Sequence, residues 1–504
     1  MLSLHDNPLP PDEGPNRREW LRVGGLSLLG LTLPDVLRAD SRATPSPAAP
    51  ALARDLGAAT FGKAKSVIYL WLQGGPPQHE TFDPKPDAPA EVQGELKSIP
   101  TVLNGVRVCE LLPRIANVMD RVTVIRSVTH PYPCHGVAYA VSGIPTYTPA
   151  LETAPRDSRH WPFIGSIVDY LEAKRTGDPT PAVPRNIGLP WLLNSRTDLN
   201  VSAGPYAAFL GQGFDPVWAS YEGAGKKIAP KYTDGQAKEF MDPFAACGLD
   251  GQFRLSTTGE LPPDVPATRL DDRRSLLAQF DAVRARGADS AHDKFRGMAY
   301  SLLTTNKMRD ALDISREPLG VRERYGATLF GQSCLCARRL VEAGSKFVTV
   351  FWDGFGQFSG CAWDTHANHY PRLKEYLLPG FDTAYPALLL DLEARGLLDE
   401  TLVIWMSEHG RTPKIDPKPN GAGRHHWSRA YSVAMAGGGV ARGKVVGSTD
   451  KHGGEVRDVP VSPKDILATA FHLLGIDVHT TVPDAQGKPS HIAGDGRVRH
   501  ELFS

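Results

Sequence analysis

The sequence predicts an α/β fold in which a mostly parallel central sheet carries helices on both faces and a loop-rich insertion interrupts the order. Three observations carry that prediction. Short apolar bursts recur, SVIYLWL from Ser66, KFVTVFW from Lys346 and TLVIWMS from Thr401, each with the length and β-branched or aromatic content of a buried strand. Helix-like spacing fills the interval between the second and third bursts, so that strand, helix and strand follow within roughly sixty residues, the signature of a parallel crossover unit. Finally, the first burst stops at Gly74-Gly75-Pro76-Pro77, as a buried strand does when it enters a loop.

The elements follow in order. Asn16-Arg17-Arg18-Glu19-Trp20-Leu21-Arg22 precedes a weakly apolar run, Val23 to Leu33, too short to span a bilayer, and then an Ala, Pro and Ser-rich stretch from Ser41 to Pro50. Residues 1–45 therefore read as a twin-arginine signal with a flexible segment, and residues 60–504 as the folded domain, located in the periplasm or at the cell surface. The alternative is a cytosolic chain whose two arginines merely precede an amphipathic helix. The twin-arginine route carries folded proteins, often with a cofactor installed, which favours a metal site. No other stretch approaches transmembrane length.

Downstream, Leu111 to Val122 has helical spacing, TVIRSV from Thr123 reads as a strand, and HGVAYAVSG from His135 as a small-residue helix closed by Gly143. Residues about 145–265 form the Pro- and Gly-rich insertion, with Gly204-Pro205-Tyr206 and Gly211-Gln212-Gly213-Phe214 as pocket-shaping text. Helical periodicity returns from Arg269 to Ala343 and again from Tyr370 to Gly396. AYSVAMAG and GKVVGSTD read as later strands, and Ser462 as the N-cap of an amphipathic helix.

Composition excludes several classes. Lys+Arg 56 against Asp+Glu 56 leaves a formal charge of +0, without the basic footprint of a nucleic-acid or anionic-lipid binder. The six cysteines show no CxxC spacing and are too few for a disulfide framework in 504 residues, so Cys334 and Cys336 are expected to be buried as small hydrophobes.

In open parallel sheets ligands bind beyond the carboxyl ends of the strands, so the loops after the bursts hold the candidate chemistry. The first loop carries His79 and Asp83, the second His130, Cys134 and His135, and the third Asp364, His366 and His369. The fourth begins Glu408-His409-Gly410-Arg411 and continues to Arg424-His425-His426-Trp427. Asp, Glu and His bind divalent ions, Zn²⁺ or Mn²⁺ first with Ca²⁺ or Mg²⁺ as alternatives, and such ions polarise esters and activate water. The bland alternative is a hydrogen-bonded loop network, with Asp364 capping the next helix and His426 packed on Trp427. Arg411 and Arg424 have the fork that grips an oxyanion, or else each makes a salt bridge that fixes its loop.

At TLVIWMSEHGR the sequence resembles the alkaline phosphatase and sulfatase superfamily, whose TLV(I/V)-x-x-S-D-H-G strand delivers an acidic residue and a histidine to a metal. It is more closely similar to the bacterial domain of unknown function 1501 family through QGGPPQHETFDPKPDAP, RSVTHPYPCHG, RERYGATLFGQSCLCARRLVEAGSKFVTV, WDTHANH, SEHGRTPKI and GRHHWSRAYSVAMAGGGV. The resemblance implies an alkaline-phosphatase-like fold and a metal site of Asp364, His366, Glu408, His409 and His426. His135 or a metal-activated water would attack or move protons, and Arg411 and Arg424 would steady the oxyanion. Two departures stand out: Gln73 occupies the place of a first-strand Asp ligand, for which His79 or Asp83 would substitute, and Pro133 occupies the nucleophile position. The CxPSR and CxAGR motifs of formylglycine sulfatases are absent. The expected function is hydrolysis of phosphate or sulfate esters on a small molecule or glycan; the alternative is an exported binding or assembly protein that retains the fold. Oligomeric state is not legible.

Overall fold

A computed structural model describes residues 58–503 apart from 133–134, 144–148, 155–156, 158, 198–203, 234–235, 256–296, 298–305, 357–361 and 420. The expected signal at residues 1–45, Pro133, Cys134 and much of the Arg269 to Ala343 stretch lie outside the described residues.

Nine strands form the central sheet: β1 (Ser66–Leu72), β2 (Val122–Val128), β3 (Asn186–Leu189), β4 (Val217–Glu222), β5 (Gln252–Leu255), β6 (Phe347–Trp352), β7 (Thr401–Met406), β8 (Tyr431–Ala436) and β9 (Lys444–Val446). Their order is β9-β2-β8-β7-β1-β6-β3-β4-β5. β1 pairs in parallel with β6 (Val67 opposite Phe347) and with β7 (Val67 opposite Leu402), and β6 continues in parallel to β3. β8 runs antiparallel between β7 and β2, and β5 antiparallel to β4, so the sheet is mixed and mostly parallel. Residues 145–265 are not set apart from this sheet, since they supply β3, β4 and β5.

Alternation along β1 explains why its whole run is apolar. Ile68, Leu70 and Leu72 enter one core, which also holds Leu335 of α3 (Leu329–Glu342) and Leu388 of α4 (Leu378–Ala394). Val67, Tyr69 and Trp71 enter the other, with Ile167 of α2 (Ile164–Thr176) and Phe471 of α5 (Pro463–Leu473). Helices therefore cover both faces.

Local signals hold where they are strong. α1 (Val137–Ser142) ends on Gly143 in the left-handed region, φ 64°, and α5 starts in a capping box formed by Ser462 and Asp465. Cys334 and Cys336 are buried and unpaired within α3.

Two helices are shorter than their spacing suggests. Of Leu111 to Val122, only Pro113–Ala116 is α-helical, followed by a 3₁₀ turn at Met119–Arg121, because the chain must extend from Val122 into β2. Tyr370 to Gly396 is broken by a π turn at Leu373–Leu377. Pro379 has no N–H to offer Glu375 O, and Lys227 Nζ donates to that carbonyl instead at 3.0 Å. Among the described residues no helix is long and apolar enough to cross a membrane.

Candidate metal centre

The loops leaving β1, β6 and β7 meet above the middle of the sheet, and backbone contacts bring them within side-chain reach. Gly74 N donates to Glu408 Oε1 at 2.8 Å and Gly75 N to Ser407 Oγ at 3.0 Å. A Cβ on Gly75 would lie 2.4 Å from His409 Nδ1, and its φ is +82°, so only glycine lets the β1 loop pass under the β7 loop. Ser407 Oγ lies 2.6 Å from Leu72 O and 2.7 Å from Glu408 Oε2.

The β2 loop is stapled to the same place. His130 Nε2 meets Glu408 O at 2.7 Å while Tyr132 N donates to His130 Nδ1 at 3.2 Å, which puts the His130 proton on Nε2. Burial lowers its pKa to about 4, in keeping with a neutral ring. Five residues on, His135 Nδ1 lies 2.8 Å from Glu408 Oε1.

Around Asp364 the side chains converge. Its Oδ1 lies 3.1 Å from His366 Nε2 and 3.2 Å from His426 Nε2, and its Oδ2 lies 3.4 Å from His135 Nε2. His366 Nε2 and His426 Nε2 are 2.8 Å apart. His409 stacks nearby, its ring centroid 4.5 Å from that of His426 and 5.0 Å from that of His135. Its Nδ1 contacts Gly410 O at 2.9 Å, while its buried Nε2 has no hydrogen-bond partner among the described residues. Ligand atoms of two triads, His135, His409, His426 and Asp364, His366, His426, lie within 4.8 Å of one another.

Electrostatics divide these groups. Burial opposes charge on His135, yet Asp364 and Glu408 prevail and raise its pKa to about 10. Burial likewise works against the Asp364 carboxylate, but Arg411 and His135 hold it well below the usual range. Burial pushes His409 well down and His426 down to about 4, leaving neutral imidazoles with lone pairs. The floor, Glu408 and His409, is sealed, whereas the side chains of His135 and His366 keep 25% and 37% of their exposure, so the cluster opens to solvent on one side.

Other candidates lie elsewhere. Arg424 is buried, with Nε and NH2 on Glu80 Oε1 at 3.1 and 2.6 Å, and further donors on Val92 O and Thr412 O. Arg411 is buried too, spent on Gly74 O, Gly75 O, Arg424 O and Asp364. Both guanidiniums thus make the loop-fixing salt bridge, and neither presents a free fork to an oxyanion. His79 Nε2 meets His452 O at 2.7 Å, and Asp83 pairs with Thr449, Lys85 and Arg126, so these two do not join the cluster. Nor does Asp364 cap the next helical turn, whose N-cap is Asn368.

Sequence reasoning passed over two buried acids. Glu80 holds Arg424 through Oε1 and faces His369 Nε2 across 3.5 Å through Oε2, tying together the loops that carry His366 and His426. Asp353, immediately after β6, accepts from Asn194 N at 2.8 Å and from Gly354 N at 2.7 Å. For Asp353 the available signal was a carboxylate lodged between an apolar strand and a glycine, since such a group must find partners.

The profile of a family described as a protein of unknown function, DUF1501, matches residues 64–503. The chain belongs to the DUF1501 family. This DUF1501 chain is similar in fold to a sulfatase from Pseudoalteromonas sp., with 12% identity, a TM-score of 0.39 and coverage of 91% of this chain and 80% of that one. It is also similar to a phosphonate monoester hydrolase from Silicibacter pomeroyi, with 10% identity, a TM-score of 0.36 and coverage of 87% and 76%. A third similar structure is a lipoteichoic acid synthase from Listeria monocytogenes, with 9% identity, a TM-score of 0.31 and coverage of 84% and 78%. TM-scores this low speak for no particular activity. No curated protein matches the sequence.

Proposed function

We propose that this DUF1501 protein is an exported metal-dependent hydrolase of phosphate or sulfate esters, with a phosphorylated or sulfated small molecule or glycan as substrate. The observation that carries the reading is the buried Nε2 of His409, without a hydrogen-bond partner among the described residues, on a ring whose centroid lies 4.5 Å from that of neutral His426 beside the Asp364 carboxylate. An unmet buried acceptor costs about 1–3 kcal/mol, and this one belongs to a set of imidazoles whose ligand atoms lie within 4.8 Å of one another. An imidazole-rich set with one carboxylate fits Zn²⁺ or Mn²⁺ better than the all-oxygen shells of Ca²⁺ or Mg²⁺. Asp364, His366, His409 and His426 would hold the ion.

A bound ion supplies Lewis acidity, polarising the ester oxygen and acidifying water. The chain's own residues do the rest. Arg411 fixes the Asp364 carboxylate and both glycine carbonyls of the β1 loop, which keeps the donor atoms in place before substrate arrives. His135 lies on the solvent side of the cluster, its Nε2 3.4 Å from Asp364 Oδ2. With Pro133 at the nucleophile position, attack falls to water rather than to a side chain.

Export rests on Arg17-Arg18 and the weakly apolar run after them; replacing both with Lys should trap a fused reporter in the cytoplasm. A second reading, an exported binding or assembly protein, is favoured by the inward-turned guanidiniums of Arg411 and Arg424. Purified protein should contain or take up Zn²⁺ or Mn²⁺ by elemental analysis and hydrolyse an aryl phosphate mono- or diester or an aryl sulfate, both lost in Asp364→Ala. Failure to take up either metal would sink the hydrolase. Metal uptake and tight binding of a sulfated glycan without turnover would favour the binding protein.

A further inference from the structure

Superfamily resemblance makes Glu408 a ligand and His135 the attacking or proton-moving group. The geometry points to the reverse assignment: Glu408 is the positioning residue for His135, and His135 is a metal ligand through Nε2. This rests on the metal-centre reading above.

Both carboxylate oxygens of Glu408 are engaged. Its Oε1 receives Gly74 N and His135 Nδ1, each at 2.8 Å, and its Oε2 lies 2.7 Å from Ser407 Oγ. Two of those partners come from the β1 and β2 loops and the third is the neighbouring Ser407, so the carboxylate cannot swing toward the cluster without stranding a buried N–H and releasing two loops. His135, not Glu408, belongs to a triad of ligand atoms within 4.8 Å of one another. With Nδ1 tied to Glu408, the free edge of His135 is Nε2, and it faces Asp364 Oδ2 at 3.4 Å.

The same arrangement recurs around the cluster. His366 has Nδ1 on His425 at 2.8 Å, and His425 in turn has Nε2 on Asp416 at 3.1 Å. His409 has Nδ1 against Gly410 O at 2.9 Å. Three imidazoles thus have Nδ1 engaged by a partner, which leaves Nε2 to serve as the ligand atom, the arrangement in which an outer carboxylate or carbonyl fixes the orientation of a metal-ligating histidine. Glu408 is the only fully buried carboxylate among these outer partners.

X-ray absorption of the Zn²⁺-loaded full chain counts coordinated imidazoles directly. His135→Ala, a change at a part-exposed side chain, should lower that count by one relative to wild type. Glu408→Gln, which keeps an acceptor oxygen for His135, should keep the count, weaken Zn²⁺ binding about 10- to 100-fold, and shift the visible bands of the Co²⁺-loaded protein, which a merely structural role would leave in place. An unchanged imidazole count in His135→Ala overturns the assignment, whether or not Glu408→Gln folds. So does a Glu408→Gln protein that folds but loses metal as fully as His409→Ala. Wild-type protein that takes up no Zn²⁺, Mn²⁺ or Co²⁺ overturns the metal centre and this assignment together; metal uptake with either contrary variant result overturns the assignment alone.

Discussion

Two buried polar clusters sit at different places in the fold, and they are built on opposite rules. On the helical layer, Arg338 of α3 is fully buried and meets Glu317 at 2.9 Å, Glu342 at 2.8 Å and Asp391 at 2.9 Å, while Arg395 reaches Asp391 from α4's end at 2.9 Å. Each cation there has carboxylates around it. At the strand ends, imidazole faces imidazole: His366 and His426 meet nitrogen to nitrogen at 2.8 Å, and His409 Nε2 meets nothing among the described residues. The first cluster sets charge against charge, although Arg338 Nε and NH2 meet their carboxylates without hydrogen-bond geometry. The second has more lone pairs than protons to fill them, which is complementary to a cation and costly without one.

The largest expected effect comes from breaking a completed pair. Arg424→Met strands Glu80 and should lose about 3–5 kcal/mol of stability in denaturant unfolding, whereas Arg338→Met should lose less, because Glu317 keeps Arg339 and Arg395 and Asp391 keeps Arg395. The two variants then separate the regions. Arg338→Met should take up metal as wild type does, whereas Arg424→Met should take up less, because Glu80 and Arg424 brace the loops bearing His366 and His426. Equal metal uptake by both would show that the strand-end loops hold their shape without that pair.

Adding the ion is the next test. At a free concentration of 100 times its Kd, a metal bound only by the native state stabilises by about 2.7 kcal/mol. That gain should appear in wild type and in Arg338→Met, and vanish in Asp364→Ala and His409→Ala, as read by thermal unfolding with and without Zn²⁺. A gain that survives in both cluster variants would place the metal elsewhere.

The contrast also explains which parts were legible in the sequence. Strands β1, β6 and β7 announce themselves because a strand buried on both faces must be apolar at every position, as SVIYLWL is. Gly143 and Ser462 were readable because a left-handed C-cap and a capping box each demand particular residue types. The gathering of His135, Asp364, His366, Glu408, His409 and His426 follows from strand-end position. What could not be read is direction. Arg411 and Arg424 look like surface forks by composition, and only the carbonyls of Gly74, Gly75, Val92 and Thr412, brought from distant loops, turn them inward. The π turn was equally hidden, because it depends on Lys227 meeting Glu375 O across 148 residues.

Two buried glutamates beside α1 carry the comparison to pH. Glu408 has His135 beside it, which holds its carboxyl below the ordinary range against the pull of burial. Among the described residues the N–H groups of Val137 and Ala138 donate to Glu152, and burial outweighs them, raising its pKa from 4.5 to about 8. A raised folded-state pKa means the native protein keeps its proton longer than the unfolded chain. The stability contribution of Glu152 is therefore complete at acid pH and is lost as pH rises from 4.5 through about 8. Relative to Glu152→Gln, wild type should lose stability with a slope on the order of 1 kcal/mol per pH unit across that window. An identical slope in the variant would assign the pH dependence to another group.

The smallest effect belongs to the outermost member of the cluster. Asp416 and His425 are exposed, with 39% and 47% of their side-chain surface open to solvent, and solvent screening leaves their contact at 3.1 Å little weight in the fold. Asp416→Asn should leave unfolding as it is in wild type. It should still weaken Zn²⁺ binding a few-fold, because His425 loses the acceptor that orients its ring, and His366 Nδ1 then loses a fixed partner at 2.8 Å. The effect should fall below that of Glu408→Gln, since solvent can replace an exposed carboxylate and cannot reach a buried one. Calorimetric Zn²⁺ titration of both variants sets the two outer partners on one scale. If Asp416→Asn costs as much affinity as Glu408→Gln, burial is not what makes an outer carboxylate effective here, and the contrast between closed floor and open rim fails.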